Sequence, residues 1–170
     1  MAYKVFVSYS TKNIHIAQWA LQALSRPGMT EVFVSEYSLY PGAQLSERIL
    51  AEIRDCDIFL LLWSGSARAS DWVPQEIGAA TMPNRLIVPV VLEPNLPVPA
   101  FISGVKHLRA YEDWDGAFLT LKTFIDAQSM EAAKRKETGI VLAVILGGIA
   151  LLAAGGEHSQ DDNNEDYDDN

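Results

Sequence analysis

The residues most able to do chemistry are Trp72 and Glu76, in the segment Ala69-Ser-Asp-Trp-Val-Pro-Gln-Glu-Ile-Gly78. Residues four positions apart share a helix face, so both side chains are expected to project from the first turn of one helix. An indole ring can stack on a flat ring, and a buried carboxylate can hydrogen-bond a sugar or stabilise a developing cation. The pair therefore predicts a small active site. The alternative is a solvated glutamate beside a core tryptophan.

Strands and helices alternate around this pair. Apolar runs predict strands at residues 5–8, 31–34, 58–63 and 86–92, and a short fifth strand at 105–108. Apolar residues at helical spacing predict a helix over 14–24, with the repeat Ile14, Ala17, Ala20, Leu21 and Leu24. The same spacing predicts helices from residue 45, after a cap at Ser70 or Asp71, and over 114–125. This order predicts an α/β fold with a flavodoxin-like, doubly wound, parallel five-stranded sheet. Ligands of such sheets bind outside the carboxyl ends of the strands, where Glu76 faces a plausible crevice.

Several other chemistries lack their residues in this chain. No glycine-rich phosphate or dinucleotide motif follows a strand. His15, His107 and His158 are far apart and lack metal-ligand spacing, so we expect no metal site. Cys56 is the only cysteine, which excludes an intrachain disulfide and favours a buried structural thiol beside the third strand.

Four segments of the chain carry a family resemblance. They are Val5-Phe-Val-Ser-Tyr9, Ser35-Glu-Tyr-Ser-Leu-Tyr-Pro-Gly42, Asp57-Ile-Phe-Leu-Leu-Leu-Trp63 and Ser70-Asp-Trp-Val-Pro-Gln-Glu-Ile77. In this order they resemble the Toll/interleukin-1 receptor (TIR) domain, over roughly residues 1–128. The Trp-x-x-x-Glu element is similar to that of the TIR branch that cleaves NAD+, which includes prokaryotic antiphage proteins.

This resemblance implies a reaction and a set of residues. Glu76 matches the catalytic glutamate of the NAD-cleaving branch. Breaking the bond from nicotinamide to ribose produces an oxocarbenium-like centre and an activated leaving group, so a carboxylate and ring stacking suffice, without metal or cofactor. NAD+ is the implied substrate. The residues expected to contact it are Trp72, Tyr9, Ser10, Ser35 and Ser64.

The long loop at residues 35–44 is expected to mediate self-assembly, as its counterpart does in the resembling enzymes. It contains a Pro41-Gly42 bend and presents Tyr37, Leu39 and Tyr40, which is more apolar surface than a loop usually exposes. The alternative is that these side chains fold back on the core of their own domain.

The composition changes after the predicted domain. A charged juxtamembrane linker at 129–138 includes Lys134-Arg-Lys136, and residues 139–156 contain no charged or strongly polar residue. Eighteen helical residues span about 27 Å, close to the thickness of a bilayer, so this segment is predicted to be a transmembrane helix. A buried core helix is the alternative. Basic residues on its amino side place the TIR domain in the cytoplasm and the acidic, disordered tail at 157–170 outside.

Together these features predict a membrane-tethered NAD+ glycohydrolase or ADP-ribosyl cyclase of prokaryotic immune or stress signalling, activated by self-assembly. Its expected partners are NAD+, further copies of the TIR domain and the lipid bilayer, with no nucleic acid. The tail carries seven carboxylates of a chain with net charge −9, which leaves the rest of the chain near −2. Two alternatives stay open: a non-enzymatic TIR adaptor and an effector whose clustered membrane helices disturb the bilayer.

Overall fold

The computed structural model describes residues 2–35, 47–82 and 85–154, with the backbone alone for Phe101, Glu137 and residues 139–154. Five strands form one sheet: β1 Tyr3–Ser8, β2 Thr30–Val34, β3 Ile58–Trp63, β4 Leu86–Val91 and β5 Leu108–Arg109. The helices are α1 Ile14–Leu24, α2 Glu47–Asp55, α3 Gly65–Arg68, α4 Val73–Thr81 and α5 Trp114–Ala154, with 3₁₀ turns at Thr11–Asn13 and Ala100–Ile102.

The strands are parallel and lie in the order β2-β1-β3-β4-β5. This confirms the predicted flavodoxin-like sheet. The chain leaves β1 towards β2 and then crosses to the other side of β1 to form β3. The order of the strands therefore reverses between β1 and β3, and a crevice opens outside their carboxyl ends at such a reversal.

The two faces of the sheet are covered by different helices. In β1, Val5 and Val7 belong to a cluster packed with α1 and the start of α5, whereas Phe6 belongs to a cluster packed with α2 and α4. All six residues of β3 are buried, as its uninterrupted apolar run requires of a strand covered on both faces. The alternation of side chains along each strand thus decides which helix layer each residue meets.

Helix α1 differs from the expected pattern of burial. Ile14 and Leu21 are 46% and 39% exposed, whereas Ile16 is buried beside Ala17. Ala17, Ala20 and Leu24 of the predicted repeat are buried, so the buried stripe keeps these three residues and has Ile16 in place of Ile14 and Leu21. Packing against the sheet selects the stripe that contains Ile16.

Helix α5 continues well beyond the predicted end at residue 125 and includes the charged segment 129–138. The structure divides into two compact units after Ala132. Among the residues whose side chains are described, no helix is long and apolar enough to cross a bilayer. The predicted transmembrane segment 139–156 and the tail 157–170 lie outside those residues, and both stay predictions.

Cys56 follows α2 and is buried, in agreement with the predicted structural thiol. Its Sγ donates to the carbonyl oxygen of Ile53 at 3.2 Å. Burial raises the pKa of this thiol to about 11, so it stays protonated at neutral pH. The thiolate is the reactive form, and Cys56 is therefore a packing residue.

Candidate active site

Glu76 is buried in the first turn of α4, with none of its surface exposed. Helix geometry explains this burial. Val73, Ile77 and Ala80 form the apolar stripe of α4 that packs on the sheet, and position 76 lies within that stripe. The alternative of a solvated glutamate is wrong, because the stripe carries the carboxylate towards the sheet with its apolar neighbours.

Ser8 is the partner of this carboxylate across the fold. The Ser8 hydroxyl donates to Glu76 Oε2 at 2.6 Å, and both side chains are fully buried. Sequence reasoning did not single out Ser8. The sequence did contain a sign of this role. Ser8 lies two residues after Phe6 on β1, so both side chains point to the face of the sheet that α4 covers.

Trp72 is the N-cap residue of α4, and its side chain is half-buried. Its carbonyl oxygen accepts from the amide of Glu76 at 3.0 Å, which ties the two residues through one helical turn. The Ser70 hydroxyl accepts from the amide of Trp72 at 3.2 Å, so Ser70 supports the start of the helix from two residues upstream. Trp72 is thus neither a fully buried core residue nor a fully solvated one.

Ser64 lies in a separate polar cluster at the carboxyl end of β3. Its hydroxyl donates to Asn13 Oδ1 at 2.7 Å and accepts from the amide of Ala67 at 3.0 Å, which caps α3. The Ser66 hydroxyl donates to the same Asn13 oxygen at 3.0 Å. This cluster joins the ends of β1 and β3, where the order of the strands reverses.

Tyr9 and Ser10 follow β1 directly and are both buried. Tyr9 packs in the cluster formed with α1 and α5, on the face of the sheet opposite to Phe6. It also lines a cavity of about 620 Å³ that the exposed Ile14 and Leu21 border. Ser10 precedes the 3₁₀ turn at Thr11–Asn13, and its carbonyl oxygen accepts from the amide of Asn13 at 2.7 Å.

Ser35 follows β2 and is fully buried. Val7 pairs with Val34, so the next residues along the two strands, Ser8 and Ser35, are neighbours. Among the described residues, the Ser35 hydroxyl makes no hydrogen bond. By strand alternation Ser35 shares the face of Phe33, and hence that of Ser8 and Glu76.

The predicted catalytic and substrate-binding residues therefore do not all lie together. Glu76 and Ser35 lie with Ser8 on the side of α2 and α4, Tyr9 packs in the cluster of α1 and α5, and Ser64 belongs to the polar cluster with Asn13. A ligand in contact with Glu76, Tyr9 and Ser64 together has to lie outside the strand ends. The predicted assembly residues Tyr37, Leu39, Tyr40, Pro41 and Gly42 lie outside the described residues.

The chain was compared with curated proteins and with solved structures. No curated protein matches it. Among solved structures, the chain is similar to the crystal structure of a prokaryotic SEFIR domain, with a TM-score of 0.52 and 20% sequence identity. The match covers 73% of this chain and 99% of that one, and at this identity it shows the fold.

A sequence model of the TIR domain matches residues 5–122. The matched span extends from β1 into α5, so it includes the whole sheet apart from the first residues of β1. It contains Ser8, Ser64, Trp72 and Glu76. More than half of the chain is matched, and the chain therefore belongs to the TIR domain family.

Proposed function

We propose that this protein is a signalling enzyme that cleaves the nicotinamide–ribose bond of NAD+. Membership of the TIR domain family supports a signalling role in general. The observation that carries the enzymatic proposal is the buried Glu76 carboxylate at the carboxyl end of β1, hydrogen-bonded by Ser8. A carboxylate held in a dry, preorganised site can stabilise the positive charge that develops on the ribose as nicotinamide leaves.

The arrangement suits this chemistry because the reaction needs little else from the protein. Nicotinamide leaves as a neutral molecule, so its departure requires no general acid. Trp72 begins the same helix and is half-buried, which fits a ring that stacks on the flat nicotinamide. The oxocarbenium-like centre is then captured by water, which yields ADP-ribose, or by the adenine of the same molecule, which yields a cyclic product.

The test is to incubate the purified full-length chain with NAD+ at several protein concentrations, with and without a crowding agent. Nicotinamide and ADP-ribose products are separated by chromatography. We expect release of nicotinamide with a rate per molecule that rises with protein concentration, since assembly is proposed to activate the enzyme. Absence of nicotinamide under every condition would exclude the enzymatic proposal.

One observation favours a second candidate, a non-enzymatic TIR adaptor. Glu76 is fully buried, and it does not line the cavity of about 620 Å³ beside Tyr9. A carboxylate that serves only to tie α4 to β1 has this appearance too. An adaptor would bind other TIR domains and leave NAD+ intact, so the same incubation separates the two functions.

The proposed self-assembly yields a prediction for the loop at 35–44. Tyr40→Asp places a charge in its apolar surface and is expected to make the protein monomeric, with at least about a tenfold loss of NAD+ cleavage, because charges at the centre of an interface are unfavourable. Light scattering coupled to gel filtration measures the oligomer, and nicotinamide release measures activity. Tyr111→Asp, at an exposed tyrosine before α5, is the matched control and should change neither. A monomeric Tyr40→Asp variant with the wild-type rate would show that one chain contains a complete site.

We also propose that residues 139–156 anchor the protein in a membrane, with the TIR domain in the cytoplasm. The support is the uncharged segment itself and the basic residues Lys134, Arg135 and Lys136 on its amino side. Small residues at Gly139, Ala143 and Gly147 recur every four positions, a spacing that lets two membrane helices approach closely. A membrane raises the effective concentration of such domains and so favours assembly.

This topology predicts the outcome of protease protection. With an epitope tag after Asn170, protease added to spheroplasts should remove the tag and spare the TIR domain. Replacing Lys134, Arg135 and Lys136 by glutamine should increase the fraction in the opposite orientation, since the basic residues hold their side in the cytoplasm. Recovery of the whole protein in the high-speed supernatant would contradict the membrane proposal.

A further inference from the structure

Ser8 occupies a position that the sheet holds rigidly. It is the last residue of β1, a strand paired on one side with β2 and on the other with β3. Its partner across the β1–β3 pairing is Leu61, which is itself fully buried. The sheet sets the backbone of Ser8, and full burial of the side chain restricts the rotation of its hydroxyl.

The bond from Ser8 to Glu76 links two elements that the chain separates widely. The residues are 68 positions apart, and the Oγ to Oε2 distance is 2.6 Å. At this distance it is a short hydrogen bond between two oxygen atoms. Both side chains are fully buried, so bulk water does not compete with the bond.

We propose that Ser8 is the positioning residue of Glu76, an inference that rests on the proposed NAD+ cleavage. By donating to Oε2, the hydroxyl fixes the rotation of the carboxylate about its last side-chain bond. The negative charge then has one orientation relative to the strand ends before substrate arrives. Such preorganisation stabilises a developing cation without any rearrangement during the reaction.

This role predicts which kinetic constant changes. The interaction of Glu76 with the ribose strengthens as positive charge develops, so a disoriented carboxylate raises the barrier and leaves ground-state binding of NAD+ almost unchanged. Ser8→Ala is therefore expected to lower kcat by about 10- to 100-fold with little change in KM. Ser8→Thr keeps a hydroxyl on a strand that accepts branched residues, and it should recover most of the rate.

Thr30 offers a matched control at the amino end of the neighbouring strand β2. Its side chain is buried, and its hydroxyl makes no hydrogen bond among the described residues. Thr30→Val removes a buried strand hydroxyl of the same kind without touching Glu76, and kcat should stay at the wild-type value. Should Ser8→Ala fail to fold by circular dichroism, Ser8→Cys replaces it, because a thiol is a weaker donor of similar size.

A double-mutant cycle distinguishes positioning from a merely structural role. In the Glu76→Gln background the carboxylate is already gone, so adding Ser8→Ala should lower the residual kcat by less than about twofold. Equal fold losses in the two backgrounds, an effect confined to KM, or a wild-type kcat for Ser8→Ala would each overturn the inference. Those results require an active wild-type enzyme, whereas a wild-type protein that releases no nicotinamide overturns the proposed function instead.

Discussion

Glu76→Gln is expected to lower kcat for nicotinamide release by about 100-fold or more, because the neutral amide cannot stabilise the cation that develops on the ribose. The fold should survive, since glutamine has nearly the same shape and its amide oxygen can accept the Ser8 hydroxyl that now binds Oε2 at 2.6 Å. Steady-state kinetics with the purified variant measure the loss. Circular dichroism and gel filtration verify that structure and assembly are retained.

Glu31→Gln is the matched control for this experiment. Glu31 is an exposed residue of β2, near the amino end of the sheet, so the same change of charge there should leave kcat unaltered. If Glu76→Gln released nicotinamide at the wild-type rate, Glu76 would be a structural carboxylate that ties α4 to β1. The adaptor function would then be favoured, or another residue would have to perform the reaction.

Phe6→Ala is expected to lower the free energy of unfolding by about 3–5 kcal/mol, the usual cost of removing a buried phenylalanine. The ring of Phe6 stacks between those of Phe33 and Phe59, each at 5.4 Å between centroids, and it is fully buried. Because these rings lie on three adjacent strands, the truncation leaves a cavity at the centre of the sheet. Urea denaturation followed by circular dichroism measures the change.

Leu119→Ala on α5 provides the comparison for this truncation. Leu119 is 67% exposed, so its replacement should change the free energy of unfolding by no more than about 0.5 kcal/mol. A loss below about 1 kcal/mol for Phe6→Ala would mean that neighbouring residues collapse into the space and that the aromatic stack contributes little.

The architecture could be read from the sequence because its signals are local. The apolar run at Ile58–Trp63 and the repeat at Ile14–Leu24 indicated a strand and a helix with the bounds that the structure has. Alternation of such elements implies a parallel sheet, since parallel strands need crossover connections. The Trp-x-x-x-Glu spacing likewise directed attention to Glu76, because residues four apart meet on any helix.

The long-range arrangement was decided by tertiary packing alone. No pattern within either segment relates Ser8 to Glu76 across 68 residues, and their hydrogen bond exists because α4 packs on the face of the sheet that Ser8 shares. Packing also placed Tyr9 in the opposite layer, and in α1 it buried Ile16 with Ala17 and Ala20 while Ile14 and Leu21 stayed exposed. Hydrophobic periodicity shows that a segment has an apolar face. It does not decide which of the neighbouring apolar residues on that face are buried. Only the shape of the neighbouring layer selects the stripe that is buried, and with it the polar side chains that meet at the strand ends.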